Sequence, residues 1–177
     1  MVTNLGPLSD PDALAALVGA AVAAFCYILM RAGHAAGDHW GQLECDAVHK
    51  QGAGPAGVAA CARHVLMLTG IKVAALGAGL GAVGLWPLVD PAYLAAAVAL
   101  DAVSHYVVDR GAPLRAMAAA IGRTGYITAV TVVRAPERGP DDKGPGTGAF
   151  ELDQAWHTVF LAAAAVIIGA GAAGVVA

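Results

Sequence analysis

Histidines and aspartates recur in this sequence at an interval that could do chemistry. His34 and Asp38 are four residues apart, with Gln42 one interval further on. Asp101, His105 and Asp109 repeat the interval, Asp153 and His157 repeat it again, and His64 stands alone between these groups. On a helix, residues i and i+4 share a face, so each His/Asp pair would present an imidazole and a carboxylate together. That donor set serves zinc and other divalent transition metals, and the interval lets two side chains reach one ion. Seven candidate ligands, His34, Asp38, His64, His105, Asp109, Asp153 and His157, exceed the needs of one tetrahedral ion. They suit a two-metal site, or one ion with carboxylates orienting the histidines from behind. A divalent metal with an open position, zinc being the one expected here, would acidify water and make a nucleophile. The implied chemistry is hydrolysis of a lipid or membrane-proximal ester or phosphoester, with Asp38, Asp109 or Asp153 as general base.

The elements that must position these residues are strongly apolar. The chain has 177 residues, of which 58% are hydrophobic and only 13% charged, and its mean hydropathy is +0.66. Soluble domains carry about 25% charged residues, so disorder and an ordinary soluble enzyme are both excluded. A net charge of -3 leaves no basic footprint, so no nucleic-acid partner is expected. Cys26, Cys45 and Cys61 lack C-x-x-C spacing, which indicates neither a disulfide framework nor a zinc knuckle. Cys45 and Cys61 stay outside candidates as ligands.

The apolar residues come in blocks. Residues 13–30 carry no charge, 65–89 carry only Lys72, 91–108 carry only Asp101 and His105, and 154–177 are interrupted only by His157. A spanning helix needs about 20 mostly apolar residues, and lipid forces such blocks to be helices. The sequence therefore predicts an all-α integral membrane four-helix bundle, one transmembrane domain over residues 1–177, with the lipid bilayer as partner. Its helices are expected at about 11–43, 55–86, 91–110 and 150–175. Ser9, Asp10, Pro11 and Asp12 read as a cap and first turn, Asp90 and Pro91 repeat that pattern, and Gly54 and Pro55 open the second helix. The first block lacks a positive leader and ends in Arg31, so it is not expected to be a cleaved signal.

Every Lys and Arg except Lys72 falls in two connections, between helices one and two and between helices three and four. By the positive-inside rule, both connections face the cytoplasm and both termini the other side. Trp40, Tyr106 and Trp156 are expected near the inner interface, Trp86 and Tyr93 near the outer one. In the 111–149 loop, 113–122 reads as a short interfacial helix with Leu114, Met117 and Ile121 on one side and Arg115 and Arg123 toward water. Residues 126–133 are β-branched and ambiguous, and 134–148 read as a flexible linker.

Alternating helices bring the His/Asp motifs to one membrane side, where a bundle would gather them into one layer. His39 and His49 fall in the inner loop. Ionisable groups in membrane segments are costly and usually face the bundle interior. Two alternatives stand beside metal binding. A non-enzymatic membrane protein, a helper of transport, DNA transfer or assembly, would use the pairs as interhelical hydrogen bonds worth about 1 kcal/mol or less each. A proton or ion path would continue outward, and Asp101 and Lys72 do lie deeper, but the outer halves of helices one and four are bare. A haem would give the aspartates no task. Gly79-x-Gly81-x-x-Gly84 follows no strand and, with Gly77, reads as a small-residue packing face.

The ordered set of His34, Asp38 and Gln42, then His64, then His105 and Asp109, then Asp153, Gln154 and His157 resembles an uncharacterised family of small bacterial multi-pass membrane proteins. The resemblance covers roughly 18–166 and departs from the pattern at His39 and Trp40. It implies a multi-pass protein of the bacterial inner membrane and brings no established activity. The motif style is similar to proteins labelled membrane-bound metal-dependent hydrolases. Substrate and oligomeric state stay open, a homo-oligomer among the options.

Overall fold

A computed structural model of the chain describes residues 10–129 and 146–176, and every element within them is helical. Helix α1 (Pro11–Ala36) starts where the Asp10 carboxylate accepts the Asp12 N–H at 3.0 Å. Pro11 sits in the first turn, where a missing N–H costs no hydrogen bond. The chain then widens into a π-helical turn at Gly37–Gly41. Helix α2 (Glu44–His49) is short, and α3 (Gly54–Ala82) is long. Helix α4 (Pro91–Asp109) is capped by Asp90, which accepts from Ala92 N–H at 2.7 Å and Tyr93 N–H at 3.3 Å. Two short helices follow, α5 (Ala112–Ala120) and α6 (Thr124–Ile127). Helix α7 (Gly148–Val176) begins with the Thr147 hydroxyl accepting the Phe150 N–H at 3.3 Å.

Pro11–Gly41, Gly54–Ala82, Pro91–Asp109 and Gly148–Val176 are each long and apolar enough to cross a membrane. Ile28, Leu66, Val103, Val159 and Val166 on these helices are all more than half exposed. In water that apolar surface would be a liability; a bilayer covers it without cost. The described residues are thus all-helical or turn, with four helices that could cross a membrane.

Several boundaries differ from the sequence expectation. The first helix does not reach 43: the π-helical turn ends at Gly41, and Gln42 is extended. Gln42 therefore leaves the regular face that carries His34 and Asp38. The second helix stops at Ala82 rather than 86, because Gly84 turns left-handed at φ 71° and a tight turn follows at Trp86–Leu88. The expected 113–122 helix is α5, and Ile121 lies beyond it and exposed while Leu114 is buried. Of the ambiguous 126–133 segment, Tyr126 and Ile127 are helical in α6; residues 130–133, and 134–145 of the expected linker, lie outside the described residues. Ser9 also lies outside them.

The described residues fall into two compact units, and α3, α4 and α7 each supply residues to both. The first holds 10–42, 66–102 and 160–176. Its core joins Val22, Cys26 and Met30 of α1, Leu76 and Leu80 of α3, Ala97 of α4, and Leu161, Ala165 and Ile168 of α7. Glycines let α1 and α3 approach. A Cβ on Gly33 would meet the Lys72 Cα at 3.0 Å, one on Gly41 would meet the Met67 sulfur at 2.7 Å, and one on Gly37 would run into the Leu68 side chain. Such close backbone approach is how membrane helices pack without a hydrophobic driving force. The glycines expected to form one packing face on α3 divide their tasks: Gly79 receives Leu29, while Gly77 and Gly81 lie beside Trp86. Lys72 and Asp101, both buried, form an ion pair in this unit.

The second unit holds 43–65, 103–129 and 146–159. Its core joins Val108, Leu114, Ala118 and Ile127, with Leu152 and Trp156 packed against it. Trp156, expected near the inner interface, packs against this cluster. Gly111 at φ 70° makes the turn from α4 into α5, and a Cβ there would meet the Gln51 side chain at 2.7 Å. Buried Asp46 of α2 is held by Arg63 at 2.5 Å.

Candidate metal centre

The second unit brings five of the seven candidate ligands together, and Asp109 is at their middle. Asp109 is the last residue of α4 and only 2% exposed. A carboxylate buried so deeply needs compensating partners. His105 stands one turn earlier on the same helix, and its Nε2 lies 3.2 Å from Asp109 Oδ2. His64, about three turns into α3, places its Nε2 at 3.1 Å from the same oxygen. The early turns of α7 supply His157, whose Nε2 is 3.7 Å from the other oxygen, Oδ1, and 3.3 Å from Asp153 Oδ2. The His105 and His157 rings stack with centroids 3.9 Å apart.

Asp109 Oδ2 and the Nε2 atoms of His64 and His105 form a triangle. The Nε2 atoms of His64 and His105 are 3.2 Å apart, which closes the third side. A tetrahedral zinc with bonds of about 2.0 to 2.1 Å spaces its ligands by about 3.3 Å. The triangle of His64, His105 and Asp109 thus has the dimensions of one face of such a tetrahedron. A second group, Asp109, Asp153 and His157, has donor atoms all within 4.8 Å of one another. Asp109 belongs to both and turns a different oxygen to each. These His/Asp groups are geometrically able to hold a metal ion.

The remaining two candidates, His34 and Asp38, belong to the first unit, where they pair at 3.3 Å across one helical turn. Asp101, which shares the four-residue interval with His105, pairs instead with Lys72 in that unit. His39 and His49 are exposed, and the His49 Nδ1 lies 2.6 Å from the Cys45 carbonyl oxygen. Cys61 is buried with its sulfur 3.7 Å from the Tyr106 carbonyl oxygen, and Cys45 is exposed.

Sequence reasoning missed Lys50. Its Nζ lies 3.0 Å from Asp109 Oδ2, although 59 residues separate the two. The cause is Arg110, the residue after Asp109. Its two terminal nitrogens donate to the Lys50 and Gly52 carbonyls at 2.6 and 2.7 Å, which seats the loop between α2 and α3 over the end of α4. No local spacing could have shown this. No family model, curated protein or solved structure matches the chain.

Proposed function

We propose that this is a membrane-embedded, metal-dependent hydrolase. Its His/Asp centre lies at the cytoplasmic face of a four-helix bundle in a bacterial inner membrane, with both termini on the far side. The observation that carries this is the triangle of His64, His105 and Asp109, with sides of 3.1 to 3.2 Å. Zinc suits an imidazole and carboxylate set of that size. When bound, a divalent ion supplies Lewis acidity and acidifies water.

The chain's own residues divide the remaining work. Asp109 holds the Nε2 atoms of His64 and His105 in register, and His157 steadies Asp153. Among the three candidate carboxylates, Asp153 is the most open: its side chain is 23% exposed, against 13% for Asp38 and 2% for Asp109. A general base must exchange its proton with water or substrate, so Asp153 takes that role. The substrate is an ester or phosphoester in or beside the lipid headgroups. The resemblance of the ordered motifs to small multi-pass bacterial membrane proteins belongs to this reading.

A second reading is favoured by one observation: the pairs His34/Asp38, His105/Asp109 and Asp153/His157 each close at 3.2 to 3.3 Å within their own helix. A non-enzymatic membrane protein could use them only to satisfy buried polar groups within each helix. Elemental analysis of protein purified in mild detergent separates the two. About one divalent ion per chain, lost in His105→Ala and Asp109→Asn, together with turnover on an ester and phosphoester panel, is the expected result. Metal far below stoichiometry and unchanged by either substitution supports the structural reading. Stoichiometric metal without turnover keeps the site and removes the enzyme.

A further inference from the structure

We infer that Lys50 makes the centre a site for a phosphoryl group, so that the ligand is a phosphate ester and not a neutral carboxylic ester. The inference rests on the metal-centre reading and narrows its substrate class.

Lys50 is not a loose surface lysine. Its side chain is 17% exposed, and its Nζ reaches the very oxygen that completes the metal-sized triangle. Its backbone is seated from two sides. Arg110 donates to its carbonyl and to that of Gly52, and Gly57 and Gly111 leave room where a Cβ would strike the Gly52 carbonyl or the Gln51 side chain. The loop is therefore held so that an ammonium stands beside the ligand oxygen.

That placement has an electrostatic consequence. A divalent ion bound at Asp109 Oδ2 would place its charge directly beside the Lys50 ammonium, and Arg110 stands against the same loop. Ion and ammonium would share Asp109 Oδ2 and repel each other across it. At low local dielectric that repulsion is severe. An anion bridging the two relieves it, as a phosphoryl group does with one oxygen toward the metal and another toward the ammonium. Lysine is a common phosphate partner acting as a point charge. The carbonyl of a neutral ester brings no charge and leaves the repulsion unrelieved.

Phosphate could arrive on a lipid headgroup or on a water-soluble ester, and the test distinguishes them. The wild type, Lys50→Met and Lys50→Arg are purified in mild detergent and loaded with Co²⁺, whose visible absorption bands report its coordination. Inorganic phosphate, glycerol phosphate and a diacylglycerol phosphate are titrated, with acetate and a neutral carboxylic ester for comparison. Phosphate is expected to shift the bands in the wild type and in Lys50→Arg. In Lys50→Met the apparent affinity should fall at least tenfold while the bands themselves persist. A stronger response to the diacylglycerol phosphate than to glycerol phosphate assigns a lipid; an equal or weaker one assigns a soluble ester. Bands that ignore phosphate, or that respond equally in Lys50→Met, overturn the inference and leave the metal centre standing. Tighter Co²⁺ binding in Lys50→Met with unchanged phosphate affinity also overturns it, because Lys50 is then a counter-ion only. Absence of Co²⁺ bands in the wild type overturns the metal centre itself, and the inference with it.

Discussion

At the scale of single residues, the decisive group is Asp109, on which His64, His105, His157 and Lys50 converge. Asp109→Asn keeps the shape and removes the charge. It should abolish stoichiometric metal binding and leave the part-buried Lys50 ammonium without its anion. Removing one member of a buried ion pair costs about 3 to 5 kcal/mol, and thermal unfolding in detergent should show a loss of that order. Lys72 and Asp101 offer a matched test away from the centre. Lys72→Met alone should destabilise by a similar amount, whereas Lys72→Met with Asp101→Leu should recover most of it, because no unpaired charge remains. The His/Asp pairs were legible in the sequence because i and i+4 are neighbours by local geometry. Lys50 was not, because only the fold carries it to Asp109 across 59 residues. Lys72 and Asp101 could be seen as exceptions within apolar blocks, but not as each other's partner.

At the scale of elements, glycine spacing decides how closely α1 approaches α3. Gly33, Gly37 and Gly41 lie four apart, and a side chain at any of them meets Lys72, Leu68 or Met67. Gly37→Val should therefore force the helices apart. Overpacking of this kind costs about 1 to 3 kcal/mol, readable as a lowered melting temperature in detergent. The same substitution at Gly70, where a Cβ meets nothing within 4 Å, should cost less. The caps at Asp10 and Asp90 were legible because cap chemistry is local. Helix α2 and the π-helical turn were not: α2 has only six residues, too few for periodicity to register, and the turn depends on packing at Gly37 and Gly41.

At the scale of the whole molecule, low charge content and four apolar blocks make the membrane class legible in the sequence. The proposed orientation rests on the Lys and Arg distribution, and native cysteines can test it. Cys45 is exposed, whereas Cys26 and Cys61 are buried. A membrane-impermeant maleimide should leave Cys45 unlabelled in intact cells and label it in inverted vesicles. Labelling from outside would reverse the proposed orientation.

The claim that joins these scales is that His64, His105 and Asp109 hold one divalent ion. X-ray absorption spectroscopy on the zinc-loaded protein measures this most directly. The expected spectrum shows nitrogen and oxygen neighbours at about 2.0 to 2.1 Å with imidazole scattering, and Asp109→Asn should lose it. No retained zinc, or a sulfur shell at about 2.3 Å from a cysteine, would contradict the proposed centre.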